Sequence, residues 1–410
     1  MSAFNKQAVK DLEFSVSMVR LGLKICGIWP DNEQPNWQRK MTSVRVLLAT
    51  FILIFFTTIP TTMAMPKIWG DMTLIIDNFI INFPYFTAVV KLVVLWYKEK
   101  ELGYLFNEIK SDWTSPKNSI ERNLMMKNAK IAKFITVLSY VLIIWVMAFH
   151  HLPFWVAGLI PRTRSNLTDP HDRALVMQTV YFHDVSKSPN FEITAVCQTI
   201  ATLIAGSSYT VVDCVFVMLI MHVSGQLAIL TIKMENMCND YEDKIENDAQ
   251  YFVKTVRSIT QTHQKIIRFV TTMESVYSFM ILEQFSAFAV IFAVTGFQLI
   301  SIFVGDVQSS FSAMSFAILY FLCTLSSIFM YSAAGEFLIF NSQTVSRAIY
   351  SCKWYNLRAK DMGQLLMVII RTQKPLSVSV GKFAPVSLIT FSMLIKTSAS
   401  YLSVLLAMKS

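Results

Sequence analysis

Seven long apolar segments, almost free of charged residues, constrain the fold of this chain more than any other feature of its sequence. They cover residues 46–64, 74–97, 134–155, 193–220, 279–304, 311–334 and 383–408. A helix of roughly 20 apolar residues crosses the hydrocarbon of a bilayer, because each residue adds about 1.5 Å. Apolar residues make up 54% of the chain and charged residues 15%, a balance typical of polytopic membrane proteins. We therefore predict an all-α membrane protein with seven transmembrane helices.

The distribution of Lys and Arg predicts the orientation of these helices. Of the 36 basic residues, 26 lie in segments 1–42, 98–130, 223–268 and 335–382, whereas 6 lie in the connections on the opposite side. Cytoplasmic segments carry the excess of Lys and Arg, so we place the amino terminus in the cytoplasm and the carboxyl terminus outside the cell. This topology is opposite to that of G-protein-coupled receptors. The net charge of +9 reflects membrane orientation, and we expect no nucleic-acid partner.

The loops and the cysteines predict one modification site and no metal or catalytic site. The longest exterior connection, residues 157–192, contains the one N-x-S/T sequon of the chain, so we predict glycosylation at Asn166. The six cysteines form no C-x-x-C pair, and we expect neither a disulfide framework nor a metal site. The hydrolase motif G-x-S-x-G and the zinc motif H-E-x-x-H are both absent from the sequence, so we predict that the protein is not an enzyme and needs no cofactor.

The last apolar segment carries a stripe of small hydroxyl side chains that ends in apolar residues. On a helix, four of its residues fall within about 40° of one another, with Tyr401 beside them and Met408 at the edge. These four are Met393, Thr397, Ser400 and Val404. When several copies surround an axis, such a stripe suits a wet path that narrows to an apolar ring. Ser and Thr also allow transmembrane helices to pack closely, so the spacing alone leaves both interpretations open.

Residues 348–404 contain a dense set of motifs, and further matching residues lie upstream. The motifs are Tyr350, Trp354-Tyr355, Arg371-Thr372-Gln373-Lys374-Pro375-Leu376, Gly381-Lys382-Phe383 and Ser400-Tyr401, with Tyr209, Asp213, His222 and Gln284-Phe285 before them. With these residues, about half of the chain resembles the insect odorant receptors. Within that family it is similar to a ligand-tuned member and not to the shared co-receptor.

This resemblance implies a subunit of a tetrameric, odorant-gated, non-selective cation channel that assembles with the co-receptor in the plasma membrane of olfactory neuron dendrites. It divides the chain into a cytosolic segment (1–42), six helices with an odorant pocket in their outer half (43–334), a cytosolic anchor (335–382) and a pore-lining helix (383–410). Val404 stands where the family has its hydrophobic gate. The anchor residues it implies are Tyr350, Trp354, Tyr355, Arg371, Gln373, Lys374 and Pro375. Ala407 and Leu402 depart from the co-receptor pattern, which leaves the contribution of this subunit to ion selectivity open.

The resemblance also places the odorant pocket between spans two and six. The residues that we expect to face this pocket are Phe79, Phe83, Trp145, Phe149, Thr202, Tyr209, Phe288, Phe292, Phe311, Met314 and Ile318. Aromatic side chains supply large apolar areas, and Met adapts its shape to a ligand. Thr202 and Tyr209 are the polar members, so we expect a small volatile ligand with one hydrogen-bonding group and disfavour a carboxylate or an amine.

Charged residues within spans need a partner or access to the interface. We expect Asp213 to have a hydrogen-bonding partner, and Lys91 to extend toward the membrane interface. A secondary transporter is the alternative from another class, although no pair of Gly- or Pro-broken helices recurs in the two halves. A gustatory-type receptor channel is the nearest alternative within receptors, but Trp354-Tyr355 and the motif after Ile370 favour the olfactory branch.

Overall fold

The computed structural model of the protein describes residues 3–30, 36–158, 175–239, 251–304, 311–352 and 354–409. Eleven α-helices are present in these ranges: α1 (Ala3–Cys26), α2 (Asn36–Leu53), α3 (Ile59–Ile68), α4 (Met72–Tyr97), α5 (Glu99–Thr114), α6 (Ser119–Ala157), α7 (Asn190–Asn239), α8 (Tyr251–Phe303), α9 (Phe311–Ser351), α10 (Ala359–Thr372) and α11 (Leu388–Lys409). A π-helical turn (Ile54–Thr58) joins α2 to α3, and a 3₁₀ turn (Trp354–Asn356) follows α9. Strands β1 (Ser379–Val380) and β2 (Ala384–Pro385) form a small antiparallel hairpin.

Seven helical stretches within the described ranges are long and apolar enough to cross a membrane. They are 41–68, 74–97, 119–157, 190–237, 251–303, 314–351 and 388–407, and each overlaps one predicted span. The prediction of an all-α protein with seven transmembrane helices is therefore confirmed. Several of these helices extend beyond their apolar part into the charged connections, so the bundle continues past the membrane as helical extensions.

Helix α7 lies at the centre of the bundle and α11 lies at its edge. In the most apolar stretch of α7, 78% of the residues are buried, compared with 6% in α11. Helix α7 packs against α1, α4, α6, α8 and α9, whereas α11 packs against α8 and α9. The last span therefore presents most of its surface away from its own chain.

The seventh span begins later than predicted. A helix from residue 383 was expected, but residues 379–385 form the β hairpin, with Val380 opposite Ala384. Gly381 and Lys382 have φ values of +56° and +67°, which turn the chain tightly between the strands. Helix α11 then starts after Ser387, whose Oγ accepts a hydrogen bond from the Thr390 N–H at 3.3 Å. The expected helix start was wrong because these turn residues favour a hairpin.

The predicted anchor segment is also interrupted. Helix α9 continues into this segment as far as Ser351, and α10 is a separate helix that starts at Ala359. The chain reverses through the 3₁₀ turn, where the Leu357 N–H donates to the Trp354 carbonyl at 3.1 Å. Cys352, beside this turn, is disulfide-bonded, a feature that the scattered cysteines did not predict.

Helix α1, which lies in the predicted cytosolic segment 1–42, is anchored to α6 by an ion pair. Arg122 Nε lies 2.6 Å from Asp11 Oδ2, and Arg122 Nη2 donates to Asp11 Oδ1 at 3.0 Å. These hydrogen bonds lower the pKa of Asp11, which is buried. The pair fixes α1 against the start of the third span.

Candidate functional site

A cavity of about 110 Å³ lies between α4, α6, α7, α8 and α9, which are the second to sixth spans. It lies closer to the Ala157 end of α6 than to its Ser119 end, and thus on the side predicted to be exterior. Most of its wall is apolar, as expected for a pocket that takes a small organic ligand. The apolar lining includes Ile80, Pro84, Ile143, Val146, Met147, Ala205, Ala287, Phe288, Ile291, Phe316 and Ile328.

Several polar side chains interrupt this apolar wall. Thr202 Oγ1 lies 2.6 Å from the Tyr85 hydroxyl and 2.8 Å from His151 Nε2. Gln284 Nε2 donates to the Tyr209 hydroxyl at 2.9 Å. The hydroxyl of Tyr320, which also lines the cavity, has no hydrogen-bond partner among the described residues. The cavity thus combines a mostly apolar wall with a few fixed polar groups.

Three of the eleven predicted pocket residues line this cavity: Thr202, Tyr209 and Phe288. The other eight, all of them described, lie outside the lining: Phe79, Trp145 and Phe311 are exposed, and Phe83, Phe149, Phe292, Met314 and Ile318 are partly buried elsewhere.

Five of the eight displaced candidates lie next to residues that do line the cavity. Ile80 lines it beside Phe79, and Val146 lines it beside Trp145. One residue along a helix rotates the side chain by about 100°, so a small error in rotational phase moves it off the wall. Polar residues within the spans, such as Tyr85 and His150, would have been better indicators of the cavity wall, because polar groups in a membrane bundle face its interior.

Below the cavity lies a buried ion pair between Lys91 of α4 and Asp213 of α7. Lys91 is completely buried, so the expectation that it reaches the membrane interface was wrong. Its Nζ also lies 3.5 Å from the centre of the Tyr209 ring, a cation–π contact. The carboxylate that compensates its charge lies 122 residues away in the sequence. Pairing with this carboxylate removes the need for the ammonium to reach water.

The carboxylate of Asp213 is saturated with hydrogen bonds, as we expected for a charged residue within a span. The Tyr331 hydroxyl donates to Oδ1 at 2.7 Å, and the Ser327 hydroxyl donates to Oδ2 at 3.1 Å. Gln284 Nε2 approaches Oδ2 at 3.5 Å and donates to Ser327 Oγ at 2.8 Å. Gln284 therefore links the wall of the cavity to the ion pair.

The polar stripe of α11 faces away from the bundle. Met393, Thr397, Ser400, Tyr401 and Val404 are exposed, with Val404 at 57%. The opposite face packs on the bundle through Leu402, Leu405 and Leu406. The side chain of Met408 and the predicted glycosylation site Asn166 lie outside the described residues.

Comparison with known proteins identifies the family. A sequence model of the family described as 7tm Odorant receptor matches residues 71–399, which is most of the chain. The chain belongs to this odorant receptor family. Its predicted resemblance to insect odorant receptors is thus confirmed, and it is a multi-pass membrane protein.

Individual members of the odorant receptor family are distant from this chain. Odorant receptor 10a of Drosophila melanogaster is 27% identical over 44% of this chain and 44% of its own length. Odorant receptor 13a of the same fly is 19% identical over 98% of this chain and 97% of its own length. Odorant receptor Or2 of Anopheles gambiae is 20% identical over 82% of this chain and 85% of its own length. The first of these alignments spans less than half of either protein.

Solved structures support the same odorant receptor fold. The insect olfactory receptor OR5 from Machilis hrabei in complex with eugenol superposes with a TM-score of 0.78. It is 18% identical, and the match covers 96% of this chain and 97% of that one. A second structure of OR5 gives a TM-score of 0.77 at 19% identity, over 95% of this chain and 97% of that one. At this level of identity, the likeness concerns the fold.

The predicted anchor residues of this odorant receptor chain lie around the 3₁₀ turn and the end of α10. Tyr350, Tyr355, Arg371, Gln373 and Lys374 are exposed, whereas Trp354 and Pro375 are partly buried. On α10 itself, Leu365 and Val368 are buried, but Leu366, Met367 and Ile370 are exposed. Around the 3₁₀ turn and α10, the described residues therefore leave an apolar and aromatic surface exposed.

Proposed function

We propose that this chain is the ligand-binding subunit of an odorant-gated, non-selective cation channel that it forms with the olfactory co-receptor. The amino terminus lies in the cytoplasm, the carboxyl terminus lies outside, and the complex resides in the plasma membrane of olfactory neuron dendrites. A small volatile molecule occupies the cavity, and α11 contributes its exposed stripe to the pore. The exposed surface around Tyr350, Tyr355 and α10 meets neighbouring subunits.

One observation carries this proposal: the cavity and α11 share a single apolar cluster. Ile80, Val146, Ala287, Ile291 and Tyr320 line the cavity and, with Ile76 and Phe297, form this cluster. Leu402, Leu405 and Leu406 of α11 pack against it. A ligand that changes the packing of the wall therefore acts directly on the helix that bears Val404, because close-packed interiors transmit displacement.

Gating requires that the ligand bind the open channel more tightly than the closed one. Equal affinity for both states would shift nothing, and a change from 1:99 to 99:1 needs a preference of about 10⁴-fold. The cavity offers such a preference when movement of α8 or α9 changes its volume, since Ala287, Ile291 and Tyr320 contribute both to its wall and to the cluster under α11.

Whole-cell current tests this function directly. The chain is expressed with and without the co-receptor in a heterologous cell with G-protein signalling blocked, and a panel of volatile odorants is applied. We expect a rapid cation current when both chains are present and a ligand responds. Absence of current across a broad panel, with both chains at the cell surface, would contradict the channel function and favour a transporter.

Val404→Ala is expected to raise basal current or to alter ion permeability. The side chain is exposed at the end of the polar stripe, and its truncation would widen an apolar constriction and reduce its dewetting. Reversal potentials in ion-substituted solutions measure this effect. Ile389→Ala, which also truncates an exposed apolar residue of α11, is the control because it lies about four turns away. Unchanged current and permeability for Val404→Ala would show that the gate assignment is wrong.

Thr202→Ala is expected to shift the concentration for half-maximal response by about threefold to tenfold, with permeability unchanged. The substitution removes the hydroxyl that lies beside Tyr85 and His151 on the cavity wall, and such a hydrogen bond contributes about 1 kcal/mol. Dose–response curves and reversal potentials separate the two effects. Thr231→Ala removes a buried hydroxyl from α7 outside the cavity and serves as the control. A change in permeability with Thr202→Ala would instead place this residue in the conduction path.

A further inference from the structure

Two residues that line the cavity each carry a buried polar atom with no hydrogen-bond partner among the described residues: the Tyr320 hydroxyl and Gln284 Oε1. Both residues are more than nine-tenths buried, with 8% of Tyr320 and 3% of Gln284 exposed. Buried polar groups in proteins are nearly always paired, and the hydrocarbon of a membrane offers no partner. The residues of this mostly apolar wall therefore include two hydrogen-bonding groups that the described protein leaves unused.

The other contacts of Gln284 fix the orientation of its amide. Its Nε2 faces the Tyr209 hydroxyl, Ser327 Oγ and Asp213 Oδ2, at 2.9, 2.8 and 3.5 Å. A flipped amide would place its carbonyl oxygen against the carboxylate of Asp213, which accepts hydrogen bonds and cannot donate one. The unused atom of Gln284 is therefore an acceptor, whereas the Tyr320 hydroxyl can both donate and accept.

We infer that the ligand class of this cavity is a small neutral alcohol or phenol. Its O–H donates to Gln284 Oε1, and its oxygen accepts from the Tyr320 hydroxyl. This inference rests on the proposed odorant-binding role of the cavity and adds the chemical class. The volume of about 110 Å³ is about three quarters of the roughly 150 Å³ of a cavity known to hold benzene, so a short chain fits and a ring requires the wall to move outward.

Other ligand classes leave part of this arrangement unpaired. An aldehyde, ketone or ether accepts from Tyr320 but leaves the acceptor of Gln284 without a donor, and a hydrocarbon leaves both groups unpaired. A charged amine or carboxylate would be buried without a counter-charge, because Asp213 and Lys91 already compensate each other.

Thermal stabilisation of the purified receptor with its co-receptor measures binding independently of conduction. The probes are two shape-matched sets: cyclohexanol, cyclohexanone and methylcyclohexane, and 1-hexanol, hexanal and heptane. We expect at least one alcohol to bind about tenfold more tightly than its matching carbonyl compound, the effect of one hydrogen bond.

Tyr320→Phe should weaken the binding of the alcohol and of the carbonyl compound about tenfold, and the binding of the hydrocarbon less than about twofold. Tyr277→Phe, which removes a buried hydroxyl bound to the Val212 carbonyl outside the cavity, should change none of them.

Each other outcome overturns the inference. Equal affinity for the alcohol and the carbonyl compound would mean that Gln284 Oε1 takes no ligand donor. Equal weakening of the binding of all three probes of a set by Tyr320→Phe would mean that this hydroxyl has only a structural role. If no probe stabilised the receptor, this ligand class would be excluded.

Current recordings distinguish the proposed ligand class from the proposed channel function. Alcohol binding that depends on Tyr320 but evokes no current would retain the ligand class and contradict the channel function, whereas alcohol-evoked current with a potency indifferent to Tyr320→Phe would do the reverse.

Discussion

Asp213→Ala is expected to reduce strongly the amount of folded receptor that reaches the cell surface. The substitution removes the carboxylate that pairs with Lys91, and it leaves the donors of Ser327 and Tyr331 without their acceptor. Breaking a buried ion pair from one side costs about 3–5 kcal/mol, because a charge remains buried without compensation. Stabilities of folded proteins are only about 5–15 kcal/mol, so this loss removes a large part of the stability of the receptor. Surface labelling and the melting temperature in detergent measure the effect.

The matching substitution on the other side, Lys91→Met, should be nearly as severe, since it leaves the Asp213 carboxylate without its cation. The double variant Lys91→Met with Asp213→Leu removes both charges and should be more stable than either single variant, since apolar residues can replace a buried pair. Lys396→Met is the control, because this lysine also belongs to an apolar span but is exposed. If the losses of the two single variants simply added in the double variant, the ion pair would not be the source of the stability.

The seven spans and the outward stripe of α11 were predictable because both depend on local properties of the sequence. A membrane requires a minimum run of apolar residues, and the seven predicted segments each overlap a helix of the structure. In α11, the polar residues repeat with a helical period, so their shared face follows from the sequence. The start of α11 was not predictable from hydropathy. Residues 383–387 are as apolar as a transmembrane helix, but they belong to the hairpin and to the turn before Leu388.

The rotational phase of the other spans was not predictable in the same way. In a soluble protein, large apolar residues mark the buried face of a helix. In a membrane protein, such residues can face either the lipid or the protein interior at similar free energy. Trp145 and Phe149 were expected at the cavity, but Val146 and His150 line it, and Trp145 is more than half exposed. Size and hydrophobicity therefore located the spans but not the faces that form the pocket.

The partner of Asp213 required the tertiary structure. A carboxylate within a span predicts that some partner exists, but several polar residues lie in other spans. Lys91 lies near one end of its span, where a long side chain can reach the interface, so hydropathy favoured the wrong environment for it. Its pairing follows from the packing of α4 against α7, which is a contact between elements distant in sequence.

Gly335→Ala is expected to abolish the odorant response and to reduce the yield of folded receptor. A Cβ at this position of α9 would lie 2.2 Å from the carbonyl oxygen of Val386, and this contact is with backbone. Val386 lies between β2 and α11, and its N–H donates to the Val378 carbonyl at 2.8 Å, so the segment cannot move without breaking the hairpin. Overpacking of this kind costs about 1–3 kcal/mol, and backbone that cannot shift raises the cost. Melting temperature and surface labelling measure the loss of stability.

The position of this contact explains why gating should suffer beyond stability. The neighbouring Glu336 accepts a hydrogen bond from the Leu388 N–H at 3.2 Å, so α9 holds the first turn of α11 through two consecutive residues. Helix α9 also lines the cavity. A shift of Val386 would therefore disrupt the contact by which α9 connects the cavity wall to α11, the helix that bears Val404. Gly363→Ala in α10 is the matched control, because an added Cβ there meets no atom within 4 Å and alanine favours a helix by up to about 1 kcal/mol. A normal response in folded Gly335→Ala receptor would mean that α11 can start from a displaced segment and that α9 does not position it.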